Sequence, residues 1–161
     1  YATRNKRIGV IGTKGTISSR AYEGQIKQLD PTIKVISVAC PLFVPFAEEG
    51  WLDGSVVSTV ARTYLAPLKK AGIDTLILGC THYPLLKPVI RQVMGGQVRL
   101  IDSAKQVAME VKKILAAEQL LNKRRRPKHK FYVSDNPQWF SRLAKRFLGR
   151  DIKDAARVNH V

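Results

Sequence analysis

The amino-acid sequence predicts an α/β protein with a parallel sheet and helices on both faces, a three-layer domain. Three observations lead to this class. Short apolar runs of strand length alternate with segments of helical period, glycine and proline mark the turns between them, and the 161 residues contain no internal repeat. A hydrophobic fraction of 45% can supply a core, and no apolar run approaches the roughly 18 residues of a membrane span.

The individual elements follow in order from the same patterns. Strands are predicted where apolar residues stand together between turn residues, at residues 7–11, 34–38, 75–79, 98–101 and 130–133. Helices are predicted where apolar residues recur at helical spacing, at residues 19–29, 55–70, 85–94, 104–121 and 137–148. Residues 12–15 are predicted to form a turn, and residues 40–50, with two prolines, a structured loop. Pro67 predicts a kink or break late in the second helix.

Polar side chains follow four of the predicted strands. Because the carboxyl ends of parallel strands meet at one edge of a sheet, these side chains are expected to share a crevice. They are Thr13 with Thr16, the loop that begins at Cys40, Cys80 with His82, and Asp102 with Ser103. The glycines at positions 9, 12 and 15 fit neither the dinucleotide fingerprint nor the P-loop, so they do not predict a nucleotide site.

The chain has two cysteines, too few for a disulfide framework, which favours a reducing cytoplasm. A lone cysteine is more often an inert buried thiol than a catalyst. Cys80, however, stands at the end of a strand with Thr81 beside it and His82 two positions on, a setting that favours a reactive thiolate. Cys40 has a weaker context and is interpreted as structural. No second Cys and His pair has zinc spacing, so no metal site is expected.

Glu48 and Glu49 follow an apolar, proline-rich stretch. Two adjacent glutamates most often form a solvated helix terminus. A carboxylate in this place can also orient an imidazole such as that of His82, as third members of catalytic groupings do. The two interpretations stay open at this point.

The net charge of +16 is unevenly distributed. Residues 1–103 contain 13 Lys and Arg against 7 Asp and Glu, a net +6, whereas residues 104–161 contain 15 against 5, a net +10. The excess is centred on the run KRRRPKHK, which begins with Lys123, Arg124, Arg125 and Arg126. Such a run is either a solvated loop or a site for nucleic acid or another acidic partner, and it has no interleaved aromatic residues for base stacking.

Four motifs make the chain similar to the carboxyl-terminal part of the glutamate racemases. They are GVIGTKGTISS at residues 9–19, ACPLFVPFAEEG at 39–50, GIDTLILGCTHYPLL at 72–86 and LIDSA at 100–104. The resemblance implies two similar α/β domains that face each other across a cleft. It also implies a cytoplasmic isomerase that interconverts L- and D-glutamate without a cofactor or a metal. The complete protein is expected to be a homodimer. Its product would serve peptidoglycan synthesis, and hence cell wall synthesis and cell shape.

The resemblance also implies roles for individual residues. Cys80 matches the thiol that acts as the base toward L-glutamate, His82 matches the imidazole that assists it, and Glu48 matches the carboxylate behind that imidazole. The positions that match substrate-binding positions of the family are Thr13, Thr16 and Thr81.

The chain departs from the family pattern in one respect. The amino-terminal domain of the family, which carries a second cysteine, has no counterpart ahead of residue 1. Residues 1–103 are expected to form the carboxyl-terminal domain, and residues 104–161 to cross back and complete the missing one, so that the chain alone is inactive. Two alternatives remain: an isomerase for another acidic substrate such as aspartate, and a basic α/β module that binds polyanions.

Overall fold

Four parallel strands form a sheet with the spatial order β2-β1-β3-β4, and this sheet organises the first part of the chain. The strands are β1 (Arg7–Gly12), β2 (Lys34–Ala39), β3 (Thr75–Leu78) and β4 (Arg99–Asp102). The computed structural model describes residues 3–122, 128–152 and 155–158. It divides into two compact units, Tyr1–Lys113 and Ile114–Val161.

Helices cover both faces of the sheet, which confirms the predicted parallel α/β class. On one face lie α1 (Lys14–Ser18) and α2 (Ala21–Leu29), whose apolar side chains pack against Ile8 and Val10 of β1. On the other lie α3 (Phe43–Glu49), α4 (Gly54–Lys70) and α5 (Lys87–Met94), which enclose the larger core with Ile11 and Leu76. A 3-10 turn over Tyr83–Leu86 leads into α5. Because both faces are covered, alternate residues of β1 enter different cores.

Two local predictions are wrong. The prediction of a loop over residues 40–50 fails because α3 forms there: Pro45 is the third residue of the helix, where a backbone N–H would have no intrahelical acceptor. The helix predicted over residues 19–29 is confirmed as α2, which begins two residues later, but the turn predicted over residues 12–15 is wrong because α1 begins at Lys14. Arg20 separates the two helices in a left-handed conformation, with φ of 53°.

Helix α6 (Ser103–Ala117) spans the boundary between the two units and buries none of its side chains. It ends four residues before the predicted limit of 121. The second unit contains β5 (Phe131–Val133), α7 (Pro137–Leu148) and the short strand β6 (Ala155–Arg157), which pairs in parallel with β5 and which the sequence pattern missed. Within the described ranges, no helix is both long and apolar enough to cross a bilayer.

Candidate active site

The centre of the sheet contains a topological switch point between β1 and β3. After β1 the chain leaves toward β2, and after β3 it leaves toward β4 on the opposite side. Neighbouring connections that diverge in this way open a crevice at the carboxyl ends of the two strands, the usual ligand site of an open parallel sheet. Thr13 follows β1 directly, and Cys80 follows the last residue of β3 by two positions.

Gly79 lets the chain pass close to β1 between β3 and Cys80. Its backbone N–H donates to the carbonyl of Ile11, at 2.8 Å, and a Cβ at this position would lie 2.8 Å from the same oxygen and 3.0 Å from the ring of Tyr22. Only glycine fits so close to the neighbouring strand. Cys80 is thereby held at the mouth of the crevice as a free, half-buried thiol.

His82 lies between the thiol and a carboxylate. Its Nδ1 is 3.9 Å from Cys80 Sγ and 3.4 Å from Thr81 Oγ1, and its Nε2 is 3.1 Å from Glu48 Oε1. An ionised carboxylate can only accept hydrogen bonds, so a neutral His82 donates Nε2–H to Glu48 and presents Nδ1 as an acceptor toward the thiol. The structure thus brings together Cys80, Thr81, His82 and Glu48, in an order suited to removing a proton from sulfur.

Glu48 reaches this position because it lies on α3, one of the elements that the sequence pattern missed. It occupies the last turn of the helix, which ends at Gly50 in a left-handed conformation, with φ of 81°. The side chains of His82 and Glu48 are 24% and 36% exposed, so the pair borders the crevice instead of the core.

Thr13 and Thr16 form a second polar group at the same edge of the sheet. Thr13 caps α1: its Oγ1 accepts from the backbone N–H of Thr16 at 3.3 Å and lies 3.0 Å from the hydroxyl of Thr16. Both residues are half-buried. Two adjacent hydroxyl groups beside the end of β1 can hydrogen-bond a carboxylate or an ammonium group.

Cys40 lies outside this arrangement. Its side chain is fully buried, and burial raises the pKa of its thiol to about 12. Its Sγ is 3.8 Å from the carbonyl oxygen of Val38. Cys40 is therefore an inert core thiol at neutral pH, in agreement with its interpretation as structural.

An ion pair that sequence reasoning missed lies beside the crevice. Lys87, the first residue of α5, contacts Asp102 at the end of β4, and Asp102 also accepts from the backbone N–H groups of Ala104 and Lys105 at 3.0 and 3.3 Å. Burial alone would raise the pKa of Asp102, but these hydrogen bonds lower it below its usual value. Its place after a predicted strand identified Asp102 as a polar residue of the crevice, whereas nothing in the local sequence indicated Lys87.

Two other sequence-based expectations concern metal and polyanions. Among the residues that the structure describes, no three His, Cys, Asp or Glu side chains are grouped so that they could hold a metal ion. The basic run Lys123, Arg124, Arg125 and Arg126 lies outside the described residues, so a partner for it stays a prediction.

Comparison with known proteins gives the context for this geometry. The profile of the Asp/Glu/Hydantoin racemase family matches residues 1–111. The chain is 51% identical over 158 residues to a glutamate racemase of Geobacter metallireducens, covering 98% of this chain and 58% of that protein. It is 45% identical over 157 residues to a glutamate racemase of Syntrophus aciditrophicus, again covering 58% of the relative.

Solved structures give the same result for the fold. A glutamate racemase isoform of Bacillus anthracis superposes with a TM-score of 0.88 at 39% identity, covering 99% of this chain and 59% of the other. A glutamate racemase of Francisella tularensis, crystallised in complex with D-glutamate, superposes with a TM-score of 0.87 at 37% identity, covering 97% and 58%. The chain therefore spans less than two thirds of the length of these relatives.

Proposed function

The chain belongs to the Asp/Glu/hydantoin racemase family, and from this membership we propose that the complete protein interconverts L- and D-glutamate. The observation that carries the proposal is the row of Cys80, His82 and Glu48 at the switch point of the sheet. A thiol backed by an imidazole and a carboxylate is suited to taking a proton from a carbon acid. The likeness of the chain to glutamate racemases supports glutamate as the substrate.

The reaction breaks the Cα–H bond on one face and remakes it on the other. The Cys80 thiol first gives its proton to Nδ1 of His82, and Glu48 stabilises the imidazolium that forms. The Cys80 thiolate then removes the α-proton of L-glutamate, so that an S–H bond forms as the C–H bond breaks. A second thiol protonates the carbanion from the opposite face. Two bases are needed because a single base tends to return the proton to the face it came from.

Hydroxyl groups at the edge of the crevice hold the substrate. The Thr13 and Thr16 pair lies beside one strand end and Thr81 beside the other. These side chains hydrogen-bond the carboxylates and the ammonium group, which fixes the Cα–H bond toward Cys80. No cofactor takes part in this proposal.

The second thiol comes from a second α/β domain that residues 104–161 help to complete. Two features of the chain support this part of the proposal. Helix α6 carries the apolar stripe Val107, Val111 and Ile114, whose exposed fractions are 61%, 47% and 48%. In addition, β5 and β6 pair in parallel with each other, and among the described residues no other strand joins them. Parallel strands normally lie inside larger sheets that are covered on both faces. Both features are typical of surfaces that another element covers.

The test uses the full-length protein, with the reading frame upstream of Tyr1 restored, and follows exchange of the α-proton into deuterated water by NMR. We expect Cys80→Ser to abolish exchange from L-glutamate, with Cys40→Ala as the matched control that retains it. Exchange from both enantiomers that survives Cys80→Ser would refute the role of Cys80. Turnover of aspartate measured beside glutamate tests the substrate: faster turnover of aspartate would exclude the glutamate assignment.

A further inference from the structure

The contact between His82 and Glu48 joins two segments that are far apart in the chain. His82 lies in the turn after β3, whereas Glu48 lies on α3 after β2, and in the sheet β1 separates these strands. An ion pair as exposed as this one contributes little to stability and does not hold two segments in register by itself. A second connection must fix the distance between the imidazole and the carboxylate.

Tyr83 provides such a connection. Its side chain is fully buried, and its hydroxyl donates to the carbonyl oxygen of Cys40 at 2.9 Å. The same oxygen accepts from the backbone N–H of Phe43, the first residue of α3, at 3.1 Å. The rings of Tyr83 and Phe43 also pack edge to face, with centroids 5.4 Å apart and planes at 85°. The residue next to His82 is therefore anchored to the start of the helix that carries Glu48.

We propose that Tyr83 is a positioning residue whose hydroxyl ties the His82 turn to the start of α3 and so sets the His82–Glu48 contact. Tyr83 does not touch the reacting atoms; it acts through the carbonyl of Cys40 and the first turn of α3. The inference rests on the proposed function, since it assigns a part to Tyr83 in the same thiol site.

The Tyr83 hydroxyl is a permanent donor. Burial raises its pKa far above the usual value, and ionisation of the neighbouring Cys40, Cys80 or Tyr64 groups would raise it further. The hydroxyl therefore keeps its proton at neutral pH, and it does not act as a base toward Cys80. Its contribution is geometric.

The competing explanation is that Tyr83 merely fills the core. A phenylalanine would fill the same space and keep the edge-to-face contact with Phe43, so Tyr83→Phe separates the two explanations. Tyr64 of α4 offers a matched control. Its ring also packs edge to face on Phe43, at 5.5 Å and 72°, but it belongs to α4 and not to the turn after β3. Tyr64→Phe removes a hydroxyl near the same ring and leaves the hydrogen bond from Tyr83 to the carbonyl of Cys40 in place.

The first experiment measures alkylation of Cys80 by iodoacetamide in the 161-residue chain across pH 6 to 9. Cys40 is buried, so the native rate reports Cys80 alone. We expect Tyr83→Phe to slow alkylation at neutral pH about fivefold, which is the ratio that corresponds to the free energy of one neutral hydrogen bond. The substitution should also change the shape of the rate–pH curve. Tyr64→Phe should leave both unchanged. Thermal melts at the same pH values identify any partial unfolding, and alkylation rates are compared at a temperature at which the melts show every variant folded.

The second experiment asks whether Tyr83 acts through Glu48. In a Glu48→Gln background, Tyr83→Phe should cause no further loss, because the contact that it positions is already weakened. In the full-length enzyme, Tyr83→Phe should lower kcat about fivefold and change KM less than twofold, since the substrate-binding hydroxyls are untouched. The proposal is overturned if Tyr83→Phe alters only the melting temperature, or if its effect on alkylation persists in full when Glu48 is replaced. Because alkylation requires no turnover, it tests Tyr83 even if the substrate proves to be another acid.

Discussion

Cys40 and Cys80 leave the same edge of one sheet, yet their thiols lie in opposite surroundings. Cys40 comes directly after β2 and is fully buried, with a pKa raised to about 12. Cys80 comes just after β3, is half-buried, and lies 3.9 Å from an imidazole nitrogen. In the sequence both cysteines stand at strand ends, and only the neighbours Thr81 and His82 set Cys80 apart. The comparison shows that a strand end is a necessary setting for a reactive thiol but not a sufficient one.

The difference arises from the elements that come after each strand. Strand β2 is at the edge of the sheet, but α3 begins three residues after Cys40, and α3 and α4 bury the thiol in the main core together with Phe43 and Tyr83. Strand β3 is central, but it borders the switch point, where the connections diverge and leave a crevice. The arrangement of helices, more than the position of a strand in the sheet, decides which cysteine meets solvent.

The largest expected effect is a difference in reactivity between the two thiols. At pH 8 a thiol with a pKa of about 12 is ionised in only about one molecule in ten thousand, and Cys40 is also shielded from reagent. We expect iodoacetamide to modify Cys80 at least about a thousandfold faster than Cys40 in the native chain, measured by peptide mass spectrometry. In 8 M urea the two rates should converge. Equal rates in the native chain would remove the contrast between the two sites.

A substitution at Gly79 should disturb the Cys80 side of the comparison alone. A methyl group there would lie 2.8 Å from the carbonyl oxygen of Ile11, a backbone atom that cannot move aside cheaply. We expect Gly79→Ala to lower the free energy of unfolding by about 1 to 3 kcal/mol and to change the alkylation rate of Cys80.

Gly15 provides the matched control for that substitution, because a methyl group on this residue of α1 would meet no atom within 4 Å. Gly15→Ala should leave stability unchanged or raise it by up to about 1 kcal/mol, as expected for a helical alanine. Urea denaturation compares the two variants. If Gly79→Ala were as stable as the unsubstituted chain, the close approach of β1 to the Cys80 turn would be wrong.

A change at the opposite end of the sheet should affect both thiols equally. Burial alone would raise the pKa of Asp74, but backbone hydrogen bonds from Asn5 and Arg4 and side-chain bonds from Thr3 and Thr75 lower it to about 2. A folded-state pKa below the usual value of 3.8 adds stability above that pH, and this stability is lost as the pH falls toward 2.

We therefore expect Asp74→Asn to cost about 1 kcal/mol at pH 7, less than the full linkage value because the carboxylate is partly exposed, and to cost almost nothing at pH 2. Urea midpoints at the two pH values measure the effect. Alkylation of Cys40 and Cys80 under native conditions should keep its ratio. A penalty that was the same at both pH values would show that the charge of Asp74 does not stabilise the fold.

Much of the framework could be predicted from local patterns. The four strands of the first unit and the polar residues at their carboxyl ends follow from apolar runs and turn residues, so Cys80, His82 and Thr13 could be assigned to one edge before any coordinates were known. Helix α3 could not, because Pro41 and Pro45 favour a loop unless Pro45 happens to lie in the first turn of a helix. That register depends on Phe43 entering the core.

Local sequence patterns were thus enough to predict the sheet, the parallel direction of its strands and the edge at which the reactive residues lie. They were enough because periodicity and turn chemistry are local properties. They could not show that Cys40 is buried while Cys80 is accessible, that Glu48 meets His82 at 3.1 Å, or that Tyr83 reaches the carbonyl of Cys40. Those contacts join separate segments, and they form only when α3, α4 and the turn after β3 pack into one core. The local sequence had already singled out Cys80 by its neighbours Thr81 and His82, whereas packing determined that its thiol is accessible and that the Cys40 thiol is buried.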